Sequence, residues 1–430
     1  MLLQHKIKLK KRRLSLRANF VFSLIANIIY GGAQWFVLML MTKLLPAEKV
    51  GHFILAMAIV TPIQMFLNFH LRAAQATDAR NEYLFGEYLG LRITTATLCV
   101  IIVAVISLLL GKDWEVACIL IAVGLSKFAD GLFDVTYGLV QKYERLDAVA
   151  ISMAIRAVLE VGVFATVMLI TKNVALCYLA IFVAWVIAFL KFDLSSATCF
   201  ESTVPIFKPD RLRKLAILTL PLGINMALVA LNANVPRYLT EKYLGRAQLG
   251  YFGALGYAVT ALGMAVSALG LTGAARLSIY YVENARAFIW LLVRMVLIAL
   301  VLAIAGVIFG FAFGHRFLEI VYTQEYAAYN RVFIWLLIGG GVGYMASMLC
   351  VGLTAARAFR AGTVLMTAVT CSIVLAGWLL IPRFGFIGAA WSVLIGMSVQ
   401  FVGAGCILAW KLLVRGLHGT QETMTNCDAR

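Results

Sequence analysis

Ser126-Lys127-Phe128-Ala129-Asp130-Gly131-Leu132-Phe133-Asp134 and, past a polar turn, Ile155-Arg156-Ala157-Val158-Leu159-Glu160 place five full charges inside apolar runs of lipid-spanning length. A charge at the bilayer centre costs ~2.5–3.5 kcal/mol on insertion scales, so such groups face a partner or a hydrated cavity. Lys127, Asp130 and Asp134 fall on one helical face, as do Arg156 and Glu160. An antiparallel hairpin turning around Gln141 to Asp147 brings Asp134 level with Arg156, with Lys127 about one turn beyond Glu160. Two readings stand. The charges staple two helices together, or they line a polar path through the membrane.

The rest of the chain has the same character. It is 63% hydrophobic and 13% charged, where soluble domains carry about 25% charged residues. Runs of about 20 apolar residues, each able to cross a hydrocarbon core, recur near 20–44, 50–70, 88–110, 115–140, 149–170, 174–192, 215–236, 249–273, 288–314, 331–355, 361–381 and 386–412. The expectation is an all-α polytopic membrane protein with twelve transmembrane helices.

The net charge of +17 reads as topology rather than nucleic-acid binding. Lys6, Lys8, Lys10, Lys11, Arg12, Arg13 and Arg17 crowd the first nineteen residues, and even-numbered connections carry Arg72, Arg80, Arg92, Lys142, Arg145, Lys208, Arg211, Arg357 and Arg360. Opposite connections, around Lys49, Lys112 and Arg246, are sparser. Both termini are therefore expected in the cytoplasm, with anionic lipid adding to the attraction. The first apolar run is too long for a signal peptide and is expected to be retained. Eight scattered cysteines and five histidines show no ligand spacing, so no metal and no cofactor is expected.

A repeat of six spans is visible. Leu45–Thr61, LPAEKVGHFILAMAIVT, aligns with Leu244–Thr260, LGRAQLGYFGALGYAVT, at a constant offset of 199 residues, matching Gly51 to Gly250 and Phe53 to Phe252. Repeats six spans apart share an orientation, which implies two six-helix bundles flanking a central cavity. The expected division is a basic N-terminus (1–19), a first bundle (20–192), a cytoplasmic linker (193–214), a second bundle (215–412) and a tail (413–430). Polar stripes mark spans 1, 2 and 7: Asn27 with Gln34, Gln64 with Asn68 and Arg72, and Asn225 with Asn232. Each is either interhelical glue or the wall of a hydrated interior. Gly339, Gly340, Gly341 and Gly343 suggest a flexible or broken point in span 10.

Asn68-Phe69-His70-Leu71-Arg72, Gln75-Ala76-Thr77-Asp78, Tyr137 through Asp147, Val235-Pro236-Arg237-Tyr238 and Gly385 through Trp391 together resemble polysaccharide flippases of the Wzx type. Their superfamily also holds the MATE multidrug exporters and the lipid II flippases. The resemblance implies a MATE-like fold and transport of an oligosaccharide repeat unit on undecaprenyl pyrophosphate, for O-antigen or exopolysaccharide, across the bacterial inner membrane. It also implies a polymerase and chain-length machinery as partners. It supplies no catalytic residue. The candidates to line the cavity are Gln34, Gln64, Asn68, Arg72, Lys127, Arg156, Asn232 and Arg237, with the arginines suited to phosphate by their planar fork. Asp130, Asp134 and Glu160 are candidates for coupling to a proton or sodium ion. The charges of the quoted stretch sum to minus one, which is awkward for an anion site. The nearest rival is an ion-coupled small-molecule exporter. A glycan polymerase or glycosyltransferase is disfavoured by short outward connections and by the lack of a nucleotide-binding motif.

Overall fold

The computed structural model describes residues 16–78, 81–109 and 113–427. The basic cluster Lys6 to Arg13, with Arg80, Lys112 and residues 428–430, lies outside them. Every regular element among the described residues is helical. This is what a lipid solvent demands, because a helix satisfies its own backbone donors and acceptors.

The chain runs through α1 (Leu16–Leu44), α2 (Ala47–Leu67), α3 (Leu71–Thr77), α4 (Phe85–Leu109), α5 (Trp114–Lys142), α6 (Leu146–Thr171) and α7 (Val174–Ala188). A π-helical turn (Phe189–Asp193) and α8 (Leu194–Ala197) lead to α9 (Pro209–Leu244) and α10 (Arg246–Glu283). Then come α11 (Ala285–Val321), α12 (Gln324–Ala327), α13 (Asn330–Ala355) and α14 (Phe359–Cys427). Ten stretches are long and apolar enough to cross a membrane. The last of these, Arg360–Leu413, contains two of the expected spans, joined at Gly385, whose φ of 57° and ψ of −131° interrupt the helix. The 38-residue α10 matches the remaining span. The protein is an all-α polytopic membrane protein.

Two compact units divide it: Met1–Asn234 with Arg246–Ala254, and Val235–Gly245 with Leu255–Arg430. In the first, α2 stops at Leu67 and the chain passes through Phe69 (φ 50°) and His70 (φ 51°) before α3 begins. Left-handed φ is costly for a side chain with a Cβ, roughly 1–2 kcal/mol per residue. Neighbouring glycines let other helices hold this break. A methyl on Gly223 of α9 would lie 2.7 Å from the Phe66 carbonyl, and one on Gly138 of α5 would lie 3.1 Å from Arg72 Cα. The expected single stripe of Gln64, Asn68 and Arg72 is therefore corrected. The chain changes hand between Asn68 and Leu71, so Arg72 leaves the face that the other two share.

Polar groups at the two ends of this unit are paired. At one end Arg211 holds Glu87 through Nε (2.7 Å) and Nη2 (3.1 Å), and Ile206 N–H donates to the Gly86 carbonyl (2.8 Å). Phe85 N–H there donates to Glu201 (3.0 Å). The segment before α9 is thus laid along the start of α4. At the other end Lys49 pairs with Glu115 (3.3 Å) and Arg246 pairs with Asp113. That hydrogen-bonded guanidinium holds the Asp113 carboxyl below the usual carboxylate range.

The repeated glycines meet each other's helices here. A methyl on Gly51 would strike the Arg246 carbonyl, and one on Gly250 would strike the Ala47 carbonyl. Ala47 and Arg246 are themselves 199 residues apart. The contact is therefore isologous, the pattern made by a local twofold, and it involves only the starts of α2 and α10.

In the second unit α13 packs against α11 and α14. The expected weak point at Gly339 to Gly343 is corrected: α13 is continuous from Asn330 to Ala355. Its glycines are packing positions, with Gly339 against Leu394 and Gly343 3.0 Å, at its would-be methyl, from Met397 Sδ. Small residues let these backbones approach closely. Arg237 lies 5.3 Å over the Tyr257 ring. Lys411 donates to the Ala356 carbonyl at the end of α13 (3.0 Å), where a cation suits the helix dipole.

Candidate functional site

Four of the five charges in the opening stretch are ion-paired, but not in the expected register. Arg156 pairs with Asp130, and Asp134 pairs with Arg92 of α4 at 3.1 Å. The position level with Arg156 belongs to Phe133, whose ring lies 4.2 Å from the guanidinium. One residue turns a helix by 100°, which carries the Asp134 side chain round to α4. The expected close hairpin is likewise opened out. Below their turn, α6 packs mainly on α1 and α5 mainly on α4 and α7.

Arg156 is enclosed. It is 3% exposed, its Nη2 donates to the Tyr30 hydroxyl (3.1 Å), and the Trp185 ring lies 4.3 Å away. Rings stacked on a desolvated guanidinium are worth about 2 kcal/mol or more. Tyr30 comes from α1 and Trp185 from α7, so one cation ties four helices. Asp193, in the π-helical turn after α7, is 7% exposed. Glu160 is 2% exposed, and its Oε2 has no hydrogen-bond partner among the described residues.

Arg92 is the group that sequence reasoning missed. The charge bias places it among the connection basics, yet it lies 3% exposed within α4 and bridges Asp134 to the Asn68 amide oxygen. Its position one turn inside an apolar run was the available signal. With Arg92 included, three cations (Arg92, Lys127, Arg156) stand against three carboxylates (Asp130, Asp134, Glu160). The apparent negative excess of the opening stretch is therefore cancelled by a neighbouring helix.

A cleft opens between α2, α4 and α5, lined by Gln64, Asn68, Arg92, Thr95, Lys127 and Phe128 among others. It gathers three of the sequence candidates: Gln64, Asn68 and Lys127. Lys127 is 14% exposed at its side chain and 3.7 Å from Asp130. The other candidates lie elsewhere. Arg72 Nε donates to the Gln141 side chain (3.1 Å), and its guanidinium lies 5.4 Å over Tyr137. Gln34 is half-buried on α1, and Asn232 is buried on α9. Arg237 belongs to the second unit.

Residues 16–272 match the family described as "Polysaccharide biosynthesis protein". A capsular polysaccharide biosynthesis protein of Staphylococcus aureus, CapF, is 25% identical over 389 residues, covering 89% of this chain and 97% of the relative. Among solved structures, the lipid II flippase MurJ in an inward closed conformation superposes with a TM-score of 0.74 at 12% identity, covering 91% of this chain and 89% of that one. An inward-facing multidrug resistance MATE family transporter of the MOP superfamily gives 0.67 at 14% identity, covering 90% and 93%. These two likenesses show a shared fold.

Proposed function

Because this chain belongs to the polysaccharide biosynthesis protein family, we propose that it moves lipid-linked oligosaccharide repeat units across the bacterial inner membrane. The movement is from the cytoplasmic to the periplasmic leaflet, on an undecaprenyl pyrophosphate carrier, by alternating access. The product then passes to a polymerase and its chain-length partners. The observation that carries this reading is the polar pocket of Gln64, Asn68, Arg92 and Lys127 inside helices of lipid-spanning length. Hydrocarbon cannot solvate sugar hydroxyls, so a carrier of saccharide needs such walls within the membrane. The role is transport rather than catalysis. Glu160 is the preferred coupling carboxylate, because Asp130 and Asp134 are each held by a cation while Glu160 Oε2 has no hydrogen-bond partner among the described residues.

The test is deletion in the native strain, followed by extraction of lipid-linked saccharide. Cells lacking the protein are expected to accumulate the complete repeat unit on its lipid at the cytoplasmic leaflet, and the restored gene to clear it. Unchanged lipid-linked pools with increased retention of cationic drugs would instead assign a small-molecule exporter.

Orientation follows from the charge bias. Single cysteines at positions 145, 208 and 360 are expected to resist an impermeant thiol reagent in intact spheroplasts, while position 246 reacts. Labelling of position 145 from outside would reverse the topology.

A further inference from the structure

We infer that the pocket between α2, α4 and α5 is a sugar subsite, taking one uncharged ring of the saccharide and not the pyrophosphate. The inference rests on the transport reading above and specifies which part of the substrate meets this wall.

Charge decides between the two ligands. A pyrophosphate needs uncompensated cations, and both cations of the pocket already have a carboxylate beside them. Arg92 is matched by Asp134 at 3.1 Å, and Lys127 lies 3.7 Å from Asp130. Asp130 also meets Arg156, and the third carboxylate, Glu160, is buried on α6. Bringing a phosphate here would set it against carboxylates already in place, and like charges in a low dielectric repel strongly.

What the walls do offer is a mixed set of neutral donors and acceptors. The Gln64 amide carries both. The Thr95 hydroxyl donates to the Arg92 carbonyl (3.2 Å), leaving its oxygen as an acceptor. Arg92 keeps a buried Nε–H with no hydrogen-bond partner among the described residues. A buried guanidinium donor left unmade is costly, and a ligand hydroxyl would satisfy it. Phe128 supplies the apolar wall against which the C–H face of a sugar ring can rest.

The cleft is shallow in this conformation, with enclosed room for about one water, so it meets one face of a ring rather than enclosing it. The site also has a built support. A methyl on Gly131 would lie 3.1 Å from Arg92 Cδ, so the glycine lets the arginine stem lie across α5 and reach Asn68 and Asp134.

The experiment is ligand protection of a single cysteine. Ala96 lines the pocket; Ala96→Cys in a cysteine-free background is purified in detergent and treated with an uncharged methanethiosulfonate. The probes are the oligosaccharide released by mild acid from the strain's own lipid-linked pool, and inorganic pyrophosphate. The oligosaccharide is expected to slow modification, and pyrophosphate is not. Adding Gln64→Ala should raise the oligosaccharide concentration needed about 5- to 10-fold, the loss of one buried hydrogen bond, with an unchanged melting temperature. Protection by pyrophosphate, or none by the oligosaccharide, overturns the inference. Accumulation of lipid-linked saccharide in the deletion strain is read separately, so the subsite can fail while the transport reading stands.

Discussion

Arg156→Leu is expected to lower the amount of folded protein sharply, and Arg156→Leu with Asp130→Leu to restore most of it. Removing one member of a buried ion pair strands the other and costs about 3–5 kcal/mol, whereas replacing both with apolar groups is often neutral. Arg156 adds to that penalty because Tyr30, Phe133 and Trp185 all pack on its guanidinium. The partner to remove is Asp130, since Asp134 belongs to Arg92. Asp134→Leu with Arg156→Leu should therefore fail to rescue, and that contrast tests the register directly. In this conformation the enclosed guanidinium presents no open face to a phosphate, so the double variant with Asp130 should also transport normally per molecule. The measurement is membrane abundance with complementation of the deletion strain. A double variant that is abundant but inactive would return Arg156 to the transport path. Arg156→Lys would then be impaired as well, because an ammonium cannot reproduce a bidentate phosphate contact.

Gly51→Ala and Gly250→Ala are each expected to destabilise the protein by about 1–3 kcal/mol, the range for forcing extra volume into a packed contact. The added methyls meet backbone carbonyls of Arg246 and Ala47, which cannot swing aside as a side-chain end can. Both lesions separate the same pair of helix starts, so the double variant should cost less than the sum. The separation would also strain the Arg246–Asp113 pair, making the variants less sensitive than the parent to Asp113→Asn. Thermal unfolding in detergent measures all of these. Parental melting temperatures for both single variants would mean that the two helices do not cross at these glycines.

The sequence by itself determined the architecture, because a lipid solvent leaves so few solutions. Apolar runs of spanning length must be helices, and the 199-residue offset located the two helix starts that meet. Local pattern also picked out Gln64, Asn68 and Lys127, which line one pocket. What only the tertiary structure decided was partnership. Periodicity ranks residues on one helix face but is silent about which neighbouring helix that face meets, so it assigned Asp134 to Arg156 when Phe133 occupied that level. It carried the stripe of α2 through to Arg72, because nothing local requires Phe69 and His70 to turn left-handed. Packing through Gly138 and Gly223 holds that break. It left Arg92 among topology charges, since a cation one turn inside a span looks like a snorkelling end until Asn68 and Asp134 close on it. Charge balance is a property of the assembled bundle, and so the change from an apparently acidic hairpin to a neutral, donor-lined pocket became legible only in three dimensions.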